Sequence, residues 1–344
     1  MVAQELSDNP FDAQSAAGTA IRADALVDGV LALPEPWWLQ HGDALAMPRV
    51  AFRLVGPADA PVVAVLGGIS AHRYLIGPGG WWPQIVGPHL GVDTTRYRVL
   101  GIDYLGGLGD SSTPDGVSTF PPVDSIDQAQ VLRRVVTHLG LRCLHAIVGA
   151  SYGGMVALSF AAKHADAVDR IVVVSAADKS QVLSTAWRSV QRQIVREAIA
   201  RGDGPAGLKL ARALAMATYR SQVEFATRFS GPAVRDGDRF RFPVEGYLFA
   251  RGDDYVQKYR AESFLALSES IDLHAVDASK VRTPCTLVGV REDQLVPFTD
   301  MQSLAARLAG PRRLVEVGSI FGHDAFLKES AMLNPILRNA LAER

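Results

Sequence analysis

The chain has 344 residues, 48% of them apolar and 21% charged, with 31 glycines and 19 prolines. This is the balance of a globular protein with room for one large core or two modest ones, and it excludes a disordered or fibrous chain. Lys and Arg number 35 against 36 Asp and Glu, a formal charge of −1, so no global positive field exists to release counterions from a nucleic acid, and none is expected as a partner.

Residues 1–20 mix Glu5, Asp8 and Asp12 with short apolar stretches and lack the basic start and apolar centre of a signal peptide. No run approaches the roughly 20 apolar residues of a membrane span, so the cytoplasm is the expected location. Residues 1–35 show no sustained periodicity and end in Leu33-Pro34-Glu35-Pro36, which reads as a loosely attached N-terminal segment. Apolar and β-branched runs at 50–55, 62–66 and 97–103 predict the first strands of a sheet. Helical spacing over 125–139 with Gly140 as a stop, a buried strand at 144–148, a helix over 153–164 and the run R-I-V-V-V-S at 170–175 follow. Strand, helix, strand, helix, strand implies a parallel sheet covered on both faces.

Between Ala176 and Val281 the strand signals vanish, and helix-compatible stretches at 185–200 and 208–219, rich in Arg, Gln and Ala, take over. The sheet resumes at 285–290 and 313–317, with a helix around 300–308 between them and a final helix over 324–341. The expected organisation is a core of residues 36–176 and 282–344 interrupted by a helical cap at 177–281. Cys143 and Cys285 each fall in an apolar run that reads as a strand, which argues for buried thiols rather than a disulfide or a metal site.

The pentapeptide Gly149-Ala150-Ser151-Tyr152-Gly153 lies where a strand ends and a helix begins. That is the context of a nucleophile elbow, in which small residues flank a serine held in a sharp, strained turn. A serine hydroxyl needs a base, and the base an orienting acid, in the order Ser, Asp or Glu, His. Asp293 follows the strand at 285–290 and His323 follows the next one, each in a loop beyond a strand end. Glu292 is the rival acid. His138, His145, His164 and His274 read as surface or cap packing, because His323 alone lies beyond the last strand, where it can reach back over Ser151. An oxyanion hole needs the N–H of Tyr152 and a second donor. The turn Leu66-Gly67-Gly68-Ile69-Ser70 offers Gly68 or Ile69. These features predict an α/β-hydrolase fold with a mostly parallel central sheet, an inserted helical cap, and Ser151, Asp293 and His323 as a triad.

Taken with the cap, these residues resemble the homoserine O-acyltransferases of methionine biosynthesis. The elbow continues as G-A-S-Y-G-G-M-V-A-L; the cap holds G-L-K-L-A-R at 207–212, A-T-Y-R-S at 217–221, Arg228-Phe229, Tyr247-Leu248 and the stretch 259–272; and G-H-D-A-F-L at 322–327 is similar to the family's C-terminal signature. The resemblance spans residues 45–340. It implies that Arg212 and Asp324 bind the amino-acid substrate L-homoserine, a guanidinium gripping its carboxylate and a carboxylate its ammonium. It also implies acyl-CoA as co-substrate, no metal or bound cofactor, and a homodimer. The chain departs from the family at Leu66, where a histidine is usual, and in the altered segment 104–112. For the acyl group two signals conflict. In the better-known branch of the family it resembles, an arginine two places after the catalytic aspartate accompanies succinyl use, and Leu295 stands there, favouring acetyl. The compact form resembles a proteobacterial group associated with succinyl transfer, with Arg73 or Arg291 as the cation that would meet the second carboxylate, and succinyl is the preferred reading. Acetyl transfer, plain esterase action on the same triad, and a binding receptor with an idle triad are the alternatives.

Overall fold

The structure, a computed structural model, describes residues 26–77, 79–116 and 120–343. Among them eight strands form one sheet: β1 (Leu26–Ala32), β2 (Arg49–Val55), β3 (Val62–Leu66), β4 (Arg98–Ile102), β5 (Ala146–Ala150), β6 (Ile171–Val174), β7 (Cys285–Val290) and β8 (Arg312–Val317). Their spatial order is β1-β2-β4-β3-β5-β6-β7-β8. Strand β2 is antiparallel to both neighbours, and the remaining pairings are parallel. The helices are α1 (Ser125–His138), α2 (Tyr152–Lys163), α3 (Val182–Ala200), α4 (Gly204–Tyr219), α5 (Gln222–Phe229), α6 (Pro243–Val256), α7 (Ala261–Leu273), α8 (Phe298–Arg307), α9 (Ala325–Lys328) and α10 (Ser330–Ala342).

Every residue of β3, β5, β6 and β7 is buried, because helices cover both faces of the sheet. The two-residue alternation of a strand divides these side chains between two cores. Val62, Ala64, Leu66 and Ile147 join α1, α2 and α8, whereas Val63, Val65, Ala146 and Val148 join α10. A capping box starts α1: the Asp124 carboxylate accepts from the N–H of Ile126 (2.7 Å) and of Asp127 (3.2 Å), and Asp127 returns the contact to the Asp124 N–H (2.9 Å). Such a cap is worth about 0.5–2 kcal/mol.

Between β6 and β7 the chain leaves the sheet for α3 to α7 and a short hairpin, Val234–Asp236 with Arg239–Arg241. The hairpin was not expected, since its strands are exposed and charged and show no apolar alternation. Its one signal is the Gly237 turn, with φ +64°. Residues 26–32, assigned above to a loose segment, are instead the edge strand β1, paired along its length with β2; residues 1–25 lie outside the described residues. The single final helix expected over 324–341 is broken at Glu329, whose backbone (φ −102°, ψ 49°) is not helical and whose carboxylate accepts from Ser319 Oγ (2.7 Å). Cys285 is buried in β7, but Cys143 precedes β5 and is partly exposed. No helix among the described residues is long and apolar enough to cross a membrane.

Candidate active site

Ser151 sits between β5 and α2 with φ 54° and ψ −123°, a left-handed conformation that costs a non-glycine residue about 1–3 kcal/mol. The turn is possible because its flanks lack side chains. A Cβ on Gly149 would lie 2.2 Å from the Gly153 carbonyl oxygen, and one on Gly153 would lie 2.2 Å from that of Leu66. The strained turn holds the Ser151 hydroxyl above the C-terminal edge of the sheet, the end where parallel α/β sheets place their ligands.

Two more loops at that edge complete a hydrogen-bonded chain. Ser151 Oγ is 2.8 Å from His323 Nε2, and His323 Nδ1 is 2.7 Å from Asp293 Oδ2. The other Asp293 oxygen accepts from the N–H groups of Leu295 (2.9 Å) and Val296 (3.0 Å), so the β7 loop fixes the carboxylate before it meets the histidine. Burial alone would lower the His323 pKa. The charge and hydrogen bond of Asp293 outweigh it and hold the imidazole above its ordinary value. The rival acid Glu292 faces elsewhere, accepting from the Ser319 N–H at 2.7 Å.

The turn after β3 is locked onto the elbow: the Gly67 carbonyl accepts from the Gly153 N–H (2.8 Å) and from the Tyr104 hydroxyl (2.8 Å). Gly68, Ile69, Ser151, Tyr152 and His323 line one cavity. The Tyr152 N–H opens α2 and has no partner within the helix, which leaves it free for an oxyanion; Gly68 and Ile69 both remain eligible as the second donor.

The cap supplies the roof. Arg212 on α4 lines the cavity with its guanidinium carbon 5.3 Å from the ring centre of Tyr219 and 4.6 Å from that of Tyr255, and its buried Nε has no hydrogen-bond partner among the described residues. Burial works against its charge, but the two tyrosines and Asp324 more than compensate, so it stays protonated. Asp324 also lines the cavity, with one oxygen already committed to Arg220 Nε at 2.9 Å. Arg220 in turn binds Glu224 at 2.8 Å. The corner after α4 is pinned to both triad loops, since Ser221 Oγ donates to the Ile320 carbonyl (2.6 Å) and Gln294 Nε2 to that of Arg220 (2.9 Å).

Two predicted residues are misplaced. Arg73 is buried away from the cavity, where Asp28 (3.1 Å), Asp110 (2.6 Å) and Asp103 satisfy it. Arg291 is exposed and paired with Glu316 at 2.7 Å. Neither lines the cavity, so neither meets the expectation of a cation facing the acyl group. Leu295 does line the cavity. Among the described residues the cations that line it beside Arg212 are Lys179 and Arg188, neither expected from a helix at 185–200 that reads only as part of the cap. The signal was there: Ser184, Arg188 and Gln191 recur at helical spacing on one face of α3. Among the described residues no group of three or more His, Cys, Asp or Glu is placed to hold a metal ion.

A bonded Ser–His–Asp chain at the strand ends of a mostly parallel sheet, beside a helix-opening N–H, defines a protein of the α/β-hydrolase fold, and the chain matches the model of that family over residues 61–330. It belongs to that family. Within it the chain is 41% identical over 299 residues, 85% of its own length and 79% of the other's, to a homoserine O-succinyltransferase of Xanthomonas campestris pv. campestris. It is 30% identical, over 95% of each chain, to a homoserine O-acetyltransferase of Clavibacter michiganensis subsp. michiganensis. The chain is therefore a member of the homoserine O-acyltransferase family. In fold it is similar to the crystal structure of homoserine O-acetyltransferase from Bacillus anthracis, with a TM-score of 0.85 at 17% identity over 93% of this chain and 98% of that one.

Proposed function

We propose that the protein transfers a succinyl group from succinyl-CoA to the hydroxyl of L-homoserine, through an acyl ester on Ser151, as a step toward methionine. The observation that carries this reading is the Ser151–His323–Asp293 chain opening into a cavity whose roof holds Arg212 with no carboxylate hydrogen-bonded to it among the described residues. His323 Nε2 takes the Ser151 proton as Oγ bonds to the thioester carbonyl carbon. Tyr152 N–H and a donor from Gly68 or Ile69 hold the oxyanion, the C–S bond breaks, and CoA leaves with the proton from His323. Homoserine then enters with its carboxylate on Arg212 and its ammonium on the free oxygen of Asp324. Its hydroxyl gives a proton to His323 and attacks the ester carbonyl, and Ser151 regains its proton as the product departs. Acyl-CoA is a co-substrate in this scheme, and no bound cofactor takes part.

Succinyl rather than acetyl is supported by the name of the 41% identical relative. Exposed apolar side chains on the cap, among them Val182, Val223 and Phe240, suit burial in an isologous homodimer, and a need for CoA thioesters suits the cytoplasm. The test is CoA release with each donor, with and without homoserine. Release from succinyl-CoA should depend on homoserine and yield O-succinylhomoserine; release at one rate whether or not homoserine is present would make the protein a hydrolase.

A further inference from the structure

We propose that Arg188 anchors the distal carboxylate of a dicarboxylic acyl group and so sets the preference for a succinyl over an acetyl donor. This rests on the acyl-transfer reading above. Arg188 projects from α3 into the cavity that holds Ser151 and His323. Its Nε and Nη2 both contact Asp272 Oδ1, at 2.9 and 2.6 Å, and Nη2 also meets Ser180 Oγ. Asp272 Oδ2 is taken by Arg192 Nη1 at 2.6 Å. Burial alone would raise the Asp272 pKa, but these arginines outweigh it and keep the carboxylate ionised. One carboxylate thus serves two guanidiniums, and the cluster carries one positive charge in excess.

That excess charge faces the cavity through Arg188. Arg192 does not line the cavity and both its terminal nitrogens are engaged, Nη1 also reaching Ser268 and Nη2 Ser189, whereas Arg188 Nη1 has no acceptor among the described residues. A half-buried guanidinium with an open prong and a surplus charge is suited to take a carboxylate. Its surroundings agree. Elsewhere in the lining of the same cavity, Ser175, buried at the end of β6 with φ 50°, has a hydroxyl with no partner among the described residues. Ser184, one turn before Arg188, holds the Leu295 carbonyl at 2.9 Å, so Arg188 and the apolar Leu295 belong to one wall. Arg188 is near enough to His323 for its charge to oppose protonation of the imidazole. Arg212, on another helix with other neighbours, remains for the acceptor carboxylate, giving two anion sites for a substrate pair that carries two carboxylates.

The test compares acylation of Ser151 by mono-4-nitrophenyl succinate and by 4-nitrophenyl acetate, which needs neither CoA nor homoserine, and repeats the comparison with succinyl-CoA and acetyl-CoA plus homoserine. Wild type should favour the succinyl donor. In Arg188→Gln the succinyl-to-acetyl ratio of kcat/KM should fall about tenfold to a hundredfold, the loss expected for a charge-assisted hydrogen bond, and Arg188→Lys should recover part of it. A ratio unchanged in both variants, whatever happens to total activity, would reduce Arg188 to a clamp on Asp272 and overturn the proposal. So would a wild type with no donor preference. If the Gln variant does not fold, succinate should block acetate-ester turnover by wild type far better than propionate does; equal inhibition would count against the anchor. Loss of homoserine-dependent product with the ester ratio intact would refute the acceptor, not the anchor.

Discussion

In the triad every polar atom is engaged: Ser151 on His323, His323 on Asp293, and Asp293 on two backbone N–H groups besides. In the roof of the same cavity Arg212 has a buried Nε without a partner among the described residues and lies against the rings of Tyr219 and Tyr255, with no carboxylate among those residues hydrogen-bonded to it. The contrast separates two tasks. Groups that move a proton are fixed before substrate arrives, which spares reorganisation in the transition state. On the proposed function, the group that meets the acceptor substrate is held in place with donors unspent, so that a ligand supplies the missing acceptor.

The largest effect should come from breaking the fixed half. Asp293→Asn leaves the loop geometry but removes the charge that orients and supports the imidazolium, and turnover should drop by about 10³- to 10⁴-fold with the melting temperature little changed. A stopped-flow trace of CoA release would show both half-reactions slowed. In the open half, Arg212→Lys replaces a two-pronged cation by a point charge, and kcat/KM for homoserine should fall about tenfold to a hundredfold. The first burst of CoA should survive, because acylation needs no amino acid. A lost burst with normal homoserine binding would place Arg212 on the donor instead.

A finer measure of the fixed half is the pH profile. His323 must be neutral to accept a proton, and Asp293 holds its pKa above the ordinary value, so the acid limb of kcat/KM should lie above pH 6.5 and activity should be lost as pH falls through it. In Asp293→Asn burial acts unopposed by that charge, and the limb of the residual activity should move to lower pH. An unmoved limb would mean that another group titrates. The smallest effect belongs to Glu292→Gln, since Glu292 accepts from the Ser319 N–H and not from His323. Turnover should change by no more than about threefold, with a stability loss of about 1 kcal/mol in a denaturant titration. A larger catalytic loss than that of Asp293→Asn would reverse the assignment of the acid.

Sequence pattern carried the fixed half further than the open one. The elbow, the two loop residues and the strands β3, β5, β6 and β7 rest on local signals: a glycine-flanked serine and short unbroken apolar runs. Strand β1 gave no such signal, because Gly29 and Asp28 interrupt its apolar positions and its place is set by pairing with β2 and by Asp28 meeting Arg53 and Arg73. Arg73 and Arg291 lie close along the chain to the oxyanion turn and the acid, but the direction of a side chain depends on partners brought in from elsewhere. Asp28 and Asp103 claim the first and Glu316 the second. For the same reason Arg188 stayed hidden in the arginine-rich cap: its surplus charge exists only once Asp272, eighty-four residues away, is shared with Arg192.

The central claim is that Ser151 carries the acyl group and passes it to homoserine. Intact-protein mass spectrometry after brief exposure to succinyl-CoA tests it most directly. The account predicts one succinyl adduct per chain, localised to Ser151, absent in Ser151→Ala, and cleared on adding homoserine with an equal amount of O-succinylhomoserine formed. Product made without any adduct, or an adduct that clears equally fast in buffer alone, would contradict it.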